Sequence, residues 1–389
     1  MMRNLIFNIL MIYSVLSNAQ DATFTLIDHD PLSINPAYAL PGNGQIQFLS
    51  LSRQQWWNLP GPNALSAAYN MNQATILFPV YSKDGEGYGL GLKLNSNSSG
   101  EGNFQETDAS LFTATRISGK IGRGRWQFGA GISTGLKQYK IDWSNLTFSS
   151  QLDPFYGLVN SFPIVNPREE SSNVAINSNF GLKFSYAAPW VNRSTLSLKG
   201  GFAIHNWNKP GISFFDQTEK IQQRFTTHFS AVIMPRNPKG LIGNVSNSYY
   251  IIRHNCHHQG PQRTNELRIG SNLSGVMVVY TGLRRKEFFV LNETIDAVLW
   301  SLQINLPRLI LSVGYDYTVS ELNIQRTRGT TEIGLTIPLG TRGNLKGRRA
   351  SEPCYVDYLL QHAEWKAVEK FNNKSTDWGR EYAPITFIL

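Results

Sequence analysis

The sequence predicts an all-β protein, a transmembrane antiparallel β-barrel of about 14 strands with a short helical periplasmic tail. Three observations support this prediction: an N-terminal export segment, long stretches of alternating apolar and polar residues, and a composition poor in charge. Only 16% of the 389 residues are charged, whereas 33 are glycine, 21 are Phe and 16 are Tyr. Soluble proteins carry roughly 25% charged residues, and membrane barrels need tight turns and aromatic girdles. Composition alone also fits a large secreted β-sandwich.

The chain begins with the features of a secretory signal. Arg3 provides a positive charge, an apolar stretch runs from Leu5 to Leu16, and Ala19 ends a small-residue cleavage site. We therefore expect residues 1–19 to be removed as a signal peptide. The apolar stretch is too short for a spanning helix, and no run of about 18 apolar residues follows it.

Alternation with a period of two recurs along the chain and is clearest from Val174 to Tyr186. Because neighbouring side chains of a strand point to opposite faces, one face is apolar and the other is small or polar. In a barrel the apolar face meets lipid and the polar face lines the lumen, whereas in a sandwich the apolar face is the core. The polar faces are rich in Gly, Ser, Asn and Gln, which favours the barrel over a soluble sheet.

Several alternating segments reach ten or more residues, the length that a tilted strand needs to cross a bilayer. We identify fifteen candidates, and because single-chain bacterial barrels have an even strand number, we predict about fourteen. Because fifteen exceeds this number by one, we expect the error in our strand count to lie near residues 63–81 or 45–56. The candidate strands are 45–56, 63–70, 74–81, 86–96, 107–117, 124–141, 172–187, 194–206, 223–234, 247–255, 265–273, 275–285, 294–305, 308–318 and 330–339.

The remaining segments are assigned around a barrel that spans residues 45–340. Residues 20–44 are expected to form a periplasmic N-terminal segment, and the long polar loop 146–171 is expected at the cell surface. Residues 341–389 are expected to be a periplasmic tail with an amphipathic helix, which either contacts a partner or docks beneath the barrel. The residues that fall at helical spacing are Tyr355, Tyr358, Leu359, His362, Trp365, Val368 and Phe371.

Four motifs occur in an order that resembles a known family. Residues 28–40 read DHDPLSINPAYAL, and residues 52–69 read SRQQWWNLPGPNALSAAY. FGAGISTGLKQYKIDWSNL occupies 128–146 and precedes Asp153, and LILSVGYDYTVSEL and GTTEIGLTIPL lie between 309 and 339. Together these motifs resemble the PorP/SprF family of type IX secretion system outer-membrane proteins of Bacteroidota.

The resemblance implies a non-enzymatic barrel that exports or tethers proteins with a C-terminal sorting domain, including gliding adhesins, and that contacts periplasmic machinery. The expected partners are secretion components, the C-terminal domains of secreted substrates and membrane lipid. No block of five or more Lys or Arg occurs, so nucleic acid is not expected. The alternative function is transport of small or hydrophobic solutes through the same fold.

Candidate partner-binding residues come from the motifs and the tail. Asn35-Pro36-Ala37-Tyr38 is interpreted as a fixed turn before the first strand, because Pro36 restrains Asn35 to an extended conformation, or as a docking or plug segment. Trp56 belongs to an interfacial aromatic belt or grips a partner strand. The candidate residues are Asn35, Pro36, Tyr38, Trp56, Asp153, Tyr355, Tyr358, Leu359, Trp365 and Phe371.

No motif predicts catalysis, a cofactor or a metal. The cluster from His254 to His258 contains metal-ligand residue types, but adjacent His257 and His258 point to opposite sides of an extended chain, so a polar loop or strand end is favoured. His205 is expected to be a solvated strand-end histidine. Cys256 and Cys354 could pair in an oxidising compartment, although nothing in the sequence requires it. No G-x-S-x-G elbow occurs.

Overall fold

The computed structural model describes most of the chain between residues 23 and 339. The signal peptide predicted for residues 1–19 lies outside the described residues. So does the predicted tail, with Tyr355, Tyr358, Leu359, Trp365, Phe371 and Cys354. The described residues are 23–41, 45–57, 68–83, 86–100, 102–146, 151–153, 155–158, 171–190, 194–214, 219–234, 250–259, 262–272, 277–288, 291–306, 309–320 and 324–339.

Fourteen long antiparallel strands form a closed barrel, and two short hairpins lie outside it, β6 with β7 and β10 with β11. Each barrel strand pairs with its neighbours in the chain, and β1 pairs with β18 to close the barrel, from Ile46 opposite Leu339 to Gln55 opposite Thr330. The strands are β1 (Ile46–Gln55), β2 (Tyr69–Lys83), β3 (Glu86–Ser99), β4 (Phe104–Ile121), β5 (Gly124–Lys140), β6 (Leu152–Asp153), β7 (Gly157–Leu158), β8 (Ala175–Pro189), β9 (Thr195–His205), β10 (Gly211–Ile212), β11 (Glu219–Lys220), β12 (Arg224–Met234), β13 (Tyr250–Gln259), β14 (Gln262–Asn272), β15 (Met277–Phe288), β16 (Leu291–Leu306), β17 (Leu309–Thr318) and β18 (Thr330–Leu339).

The predicted strand number of about fourteen is confirmed, and the miscount lies near residues 63–81 as expected. Residues 69–70 of the candidate 63–70 and the whole candidate 74–81 belong to one strand, β2, whereas residues 63–67 lie outside the described residues. The alternation of apolar and polar residues breaks within β2. Gln73, Thr75 and Leu77 are all buried on the lumen side, so the apolar Leu77 follows two polar residues on the same face of the strand. Leu77 can face the lumen because apolar side chains from inside the barrel cover it.

The predicted two faces of the wall are confirmed. The apolar residues of the alternating pattern point outward: Leu111 is 62% exposed and Ile132 is 55% exposed. Polar residues of the opposite parity, such as Lys93 and Asp108, are buried inside the barrel. An outward apolar band lets the wall meet lipid, and the closed sheet pairs the backbone groups of every strand with a neighbour. Among the described residues, no helix is both long and apolar enough to cross a membrane.

The two ends of the barrel differ in their connections. At one end, here called the turn end, the short connections 84–85, 122–123 and 307–308 join strands, as does one longer connection, 235–249; β1 begins and β18 ends there. At the other end, here called the loop end, the connections include residues 141–174 and 206–223. Long loops of barrels lie outside the cell and short turns lie in the periplasm, so we expect the loop end to lie at the cell surface.

Residues 23–41, here called the plug, lie inside the barrel. We expected residues 20–44 to form a periplasmic segment, but the described part of it is enclosed by the wall because its polar groups find partners on lumen-facing side chains. The plug contains three short helices, a 3₁₀-helix (Ile27–His29), an α-helix (Pro31–Ile34) and a second 3₁₀-helix (Pro36–Ala39). The other short helices are Trp143–Asn145 and Ile324–Thr327.

Proline and a capping side chain start each of the last two plug helices. The Asp30 side chain accepts a hydrogen bond from the Ser33 N–H, and the Asn35 side chain accepts one from the Ala37 N–H. Proline suits the first helical position because it has no N–H to satisfy and its φ is already helical. The compact turns that result keep the plug short enough to fit within the lumen.

Candidate functional site

The plug extends along the lumen between the two barrel ends. Near the loop end, the Thr25 hydroxyl donates to Asp316 Oδ1 at 2.6 Å, and the Thr25 N–H donates to Glu332 Oε1 at 2.8 Å. The Leu26 N–H donates to the other oxygen of Glu332 at 2.7 Å. Near the turn end, Leu40 packs over Gly89 of β3. The plug therefore occupies most of the length of the barrel interior.

An ion-pair network holds the loop-end part of the plug. It comprises three arginines and three carboxylates, so its formal charges balance. Arg284 Nε lies 2.6 Å from Glu266, and Arg284 Nη1 lies 2.8 Å from Asp316. Because isolated buried charges are very costly, such groups must be paired and hydrogen-bonded. The members of the ion-pair network are Arg53, Glu266, Arg268, Arg284, Asp316 and Glu332.

The ion-pair network also binds the plug backbone. Arg284 Nη2 donates to the Thr25 hydroxyl at 3.0 Å, and Arg268 donates to the Thr25 carbonyl. Arg53 donates to Asp316 at 3.2 Å and also to Glu332. The plug thus satisfies several of the donors and acceptors that the ion pairs leave over, although the Nε atoms of Arg53 and Arg268 have no hydrogen-bond partner among the described residues.

His29 fixes the middle of the plug. Its Nδ1 lies 2.8 Å from the Thr336 hydroxyl and its Nε2 lies 2.7 Å from the Ser312 hydroxyl. Burial lowers the pKa of His29 from 6.5 to about 4, although the Asp28 carboxylate opposes this shift. The ring is therefore neutral at pH 7. A neutral ring has one donor and one acceptor nitrogen, which two hydroxyl groups can satisfy together.

Asn35 anchors the plug to the wall on the opposite side. Its Nδ2 donates to the Leu182 carbonyl at 2.8 Å and to the Phe202 carbonyl at 3.2 Å. Glycines in the wall make room for this contact: a Cβ on Gly131 would lie 2.5 Å from the Ala37 nitrogen, and one on Gly181 would overlap the Asn35 side chain. Glycine is the residue that allows such close approach of another chain segment.

Tyr38 lies where the plug meets a cavity near the turn end. Lys183 Nζ is 4.5 Å from the centroid of the Tyr38 ring, a cation–π distance. The cavity has a volume of about 90 Å³, and Lys199 and Arg253 also line it. Arg253 is ion-paired with Asp28 of the plug. This part of the lumen is therefore rich in cationic side chains.

Trp56 and Asp153 lie at the loop end, apart from the plug candidates. Trp56 follows β1 with a φ of 64° and contacts the edge of the Tyr69 ring at a centroid distance of 5.1 Å. Asp153 accepts hydrogen bonds from the N–H groups of Phe155 and Tyr156 at 2.8 and 3.0 Å. This turn presents Phe155, 92% exposed, and Tyr156, 84% exposed.

The structure thus brings together three of the predicted residues and separates two. Asn35 and Pro36 are buried in the plug, and Tyr38 is half-buried beside them. The segment from Asn35 to Tyr38 forms a fixed turn and is also part of the plug, so it has features of both interpretations. Binding of a partner by these residues, and by Trp56 and Asp153, stays a prediction.

The sequence reasoning missed the ion-pair network. A usable signal was present, because Glu266 and Arg268 are two residues apart on β14, and Asp316 and Glu332 lie within motifs already noted. Charges on the polar parity of barrel strands face the lumen, where water, an opposite charge or a polar plug can satisfy them. The balanced set of charges is therefore compatible with a filled lumen but does not by itself predict one.

The histidines behave as polar wall residues, with one correction. His257 is buried and bonds with the Thr226 hydroxyl at 3.1 Å, whereas His258 points outward. Among the described residues, no group of three or more His, Cys, Asp or Glu is placed to hold a metal ion. His205 does end a strand, but it is not solvated: it is only 5% exposed, because the plug covers it.

Comparisons with known proteins agree with this architecture. Residues 16–337 match the family described as "Type IX secretion system membrane protein PorP/SprF". No curated protein matches the chain. Three similar solved structures are the CymD monoaromatic hydrocarbon channel (10% identity, 83% of this chain and 95% of that chain, TM-score 0.40), a Pseudomonas aeruginosa FadL homologue (10%, 79% and 93%, 0.36) and CdiB from Acinetobacter baumannii (8%, 75% and 60%, 0.39). These likenesses concern the barrel fold alone.

Proposed function

This chain belongs to the PorP/SprF family of type IX secretion system membrane proteins, and from that premise we propose that it binds or tethers secreted proteins that carry a C-terminal sorting domain. Gliding adhesins are among the proteins we expect it to hold. It acts without catalysis, as a docking barrel in the outer membrane that also contacts the periplasmic machinery.

The plug is the observation that supports a docking role over a channel. A channel needs a continuous path through the lumen, but residues 23–41 extend between the two ends and are bonded to opposite sides of the wall. The cavities beside the plug have volumes of only about 90 and 80 Å³. A filled barrel offers its two ends as rigid surfaces, and binding sites are more precise on rigid elements.

The two barrel ends suit different partners. At the loop end, Phe155 and Tyr156 expose aromatic rings on a turn that Asp153 fixes. Aromatic side chains are enriched at protein interfaces because they bury much surface at little entropic cost. We expect this turn to contact the secreted protein. At the turn end, where β18 ends, we expect Tyr38 and the segment that follows β18 to contact the periplasmic components.

Co-purification tests the proposal directly. The protein is extracted from its native envelope in mild detergent, and the proteins that accompany it are identified. We expect type IX secretion components and proteins with the C-terminal sorting domain. Recovery of lipids or small solutes alone, without these proteins, would contradict the proposal.

A double substitution localises the contact. Phe155→Ser with Tyr156→Ser should reduce recovery of the secreted protein about tenfold or more, because losing one interface anchor costs about 2 kcal/mol. Trp190→Ser is the matched control, since Trp190 is 49% exposed at the turn end. Equal losses from both variants would mean that the loop-end turn has no special role.

Solute flux tests the rival hypothesis of transport. Liposomes that contain the purified barrel should show no uptake of small sugars or hydrophobic solutes above that of empty liposomes. A clear flux through the wild-type protein would favour the transport function and count against the docking role.

A further inference from the structure

The cavity beside Tyr38, here called the turn-end cavity, lies between the plug and the wall. Its lining reaches Pro41, the last residue of the plug, and Gln47, the second residue of β1. The turn-end cavity is only partly enclosed, and both of these residues lie at the turn end, so a molecule that approaches this end can reach it. One ordered water needs roughly 10–15 Å³ of such space, so a volume of about 90 Å³ has room for one polar side chain but not for a folded segment.

Three cationic side chains from different strands line the turn-end cavity. They are Lys183 of β8, Lys199 of β9 and Arg253 of β13. Each of the three is half-buried, so each keeps part of its surface accessible. Arg116 of β4 joins Lys183 and Lys199 around a smaller adjoining cavity, where Tyr38 also lies. A ligand in the turn-end cavity can therefore meet several positive charges directly.

Carboxylates are scarce in this part of the lumen. Among the described residues that line the turn-end cavity, Asp28 is the only acidic one, and it is ion-paired with Arg253. The buried carboxylates of the described strands all belong to the loop-end halves of their strands: Asp108, Glu266, Asp316 and Glu332. With His228 counted as neutral, the described lining of the turn-end cavity thus carries three formal positive charges against one negative charge. This excess favours an anionic ligand.

Apolar side chains form much of the remaining lining of the turn-end cavity. Ile34 and Leu40 come from the plug, and Leu77 comes from β2. A cleft that has one sign of charge and walls of low dielectric constant concentrates its electric field and attracts ions of the opposite charge. The apolar walls also suit the methylene groups of an aspartate or glutamate side chain, which inorganic phosphate lacks. Membrane lipid contacts the outer face of the wall, whereas the turn-end cavity lies inside it.

We propose that the turn-end cavity binds the carboxylate of an aspartate or glutamate side chain that a periplasmic protein presents. The carboxylate accepts charge-assisted hydrogen bonds from Lys183 and Lys199, and Arg253 adds a third positive charge. Lys183 Nζ also lies 4.5 Å from the centroid of the Tyr38 ring, so the bound carboxylate is linked to the plug as well as to the wall. This inference rests on the proposed contact between the turn end and periplasmic components, and it names the chemistry of that contact.

Peptide titration of the full-length protein tests the proposal. The protein is purified in a non-ionic detergent at low salt, and a tripeptide with blocked ends and a central glutamate is titrated by calorimetry and saturation-transfer NMR. The same tripeptide with a central glutamine is the matched control ligand, and inorganic phosphate is the second anion. We expect the glutamate peptide to bind at least about tenfold more tightly than the glutamine peptide, and more tightly than phosphate.

Substitutions of single lysines assign the binding to the turn-end cavity. Lys199→Gln and Lys183→Gln should each weaken binding of the glutamate peptide about tenfold, because each removes one charge–charge attraction at a partly buried site. Lys199→Arg keeps the charge and should retain most of the binding. Lys286→Gln is the matched control, since Lys286 is also a half-buried lysine but lies at the loop end and pairs with Asp296. A change in electrophoretic mobility on heating shows which variants have folded.

Four results would overturn the proposal. The first is that the glutamate peptide binds the wild type no better than the glutamine peptide does. The second is that inorganic phosphate binds more tightly than the glutamate peptide, which would assign the turn-end cavity to a free anion. The third is that Lys286→Gln weakens binding as much as Lys199→Gln. The fourth is that folded Lys183→Gln and Lys199→Gln both bind as the wild type does.

Co-purification separates a failure of this inference from a failure of the docking role. The double variant Lys183→Gln with Lys199→Gln should recover fewer periplasmic components than the wild type but as much secreted protein. If periplasmic components accompany a wild-type protein that binds no glutamate peptide, this inference fails and the docking role stands. If the peptide binds but no secretion component co-purifies, the docking role fails, and the carboxylate site itself stands.

Discussion

Glu332→Gln should release the loop-end part of the plug while the barrel stays folded. Glu332 is 1% exposed and accepts the Thr25 and Leu26 N–H groups through its two oxygens while it pairs with Arg53. Glutamine has nearly the same shape but only one acceptor oxygen, so one N–H loses its partner. Its amide is also neutral, so Arg53 keeps only Asp316 as a counter-charge.

The magnitude follows from these losses. Removing one partner of a buried ion pair costs about 3–5 kcal/mol, and a hydrogen bond to a charged group contributes about 1.5–3 kcal/mol against about 1 for a neutral one. Because glutamine retains one hydrogen bond, we expect a free-energy cost of about 4 kcal/mol. This corresponds to roughly a thousandfold rise in the equilibrium constant for local release of the plug.

Hydrogen exchange followed by mass spectrometry measures this release, because amide protection reports local opening. The peptide that contains Thr25 and Leu26 should lose about three orders of magnitude of protection, whereas strand peptides remote from β18 should not change. Glu86→Gln is the control, since Glu86 is an exposed glutamate at the turn end, and surface changes usually stay within about 0.5 kcal/mol. Protection within threefold of wild type in a folded Glu332→Gln barrel would refute the reasoning.

Two further predictions concern the plug. His29 is neutral when docked, with a pKa of about 4, and titrates near 6.5 when released, so the released state binds more protons between these values. Docking is therefore complete above pH 6.5 and weakens as the pH falls, by about 2 kcal/mol between pH 7 and 5. Amide hydrogen exchange of the plug at the two pH values, corrected for the intrinsic exchange rates, should show this loss of docking free energy in the wild type but not in His29→Gln. An equal loss in both proteins would exclude His29 as the cause. Gly131→Ala should displace the plug at a cost of about 1–3 kcal/mol, because the new Cβ meets plug backbone, whereas Gly200→Ala has its nearest neighbour at 3.6 Å. Thermal unfolding and exchange of both variants check this, and equal behaviour would contradict a tight plug–wall contact at Gly131.

The wall of this protein was predictable because lipid imposes a simple rule on it. Most strands show one apolar and one polar face, so segments such as Val174 to Tyr186 reveal which residues face lipid without further information. Strand β2 is an exception. Its apolar residue Leu77 faces the lumen, where the plug covers it, and the residue pattern of β2 does not reveal that a plug is present.

The plug was less predictable because it follows no period. Residues 28–40 mix carboxylate, histidine, proline and apolar side chains, and each is matched to a different strand far away in the chain. Asn35 binds carbonyls of β8 and β9, and His29 binds hydroxyls of β17 and β18. Such long-range pairing has no local signature. The motif alone indicated a fixed turn or a docking or plug segment, and it could not identify the wall residues that bind it.

The position of the ion-pair network ties the ends of the chain to one another during assembly. Arg53 belongs to the first strand, whereas Asp316 and Glu332 belong to the last two, and all three meet across the seam where β1 and β18 close the barrel. Thr25 lies 307 residues from Glu332 in the chain. A barrel that has not closed therefore carries an uncompensated cation, Arg53, at one edge and one uncompensated anion, Glu332, at the other, because Asp316 is still paired with Arg284. Closure of the barrel and docking of the plug neutralise the charges at the two edges together. Electrostatic attraction between these edges therefore favours closure.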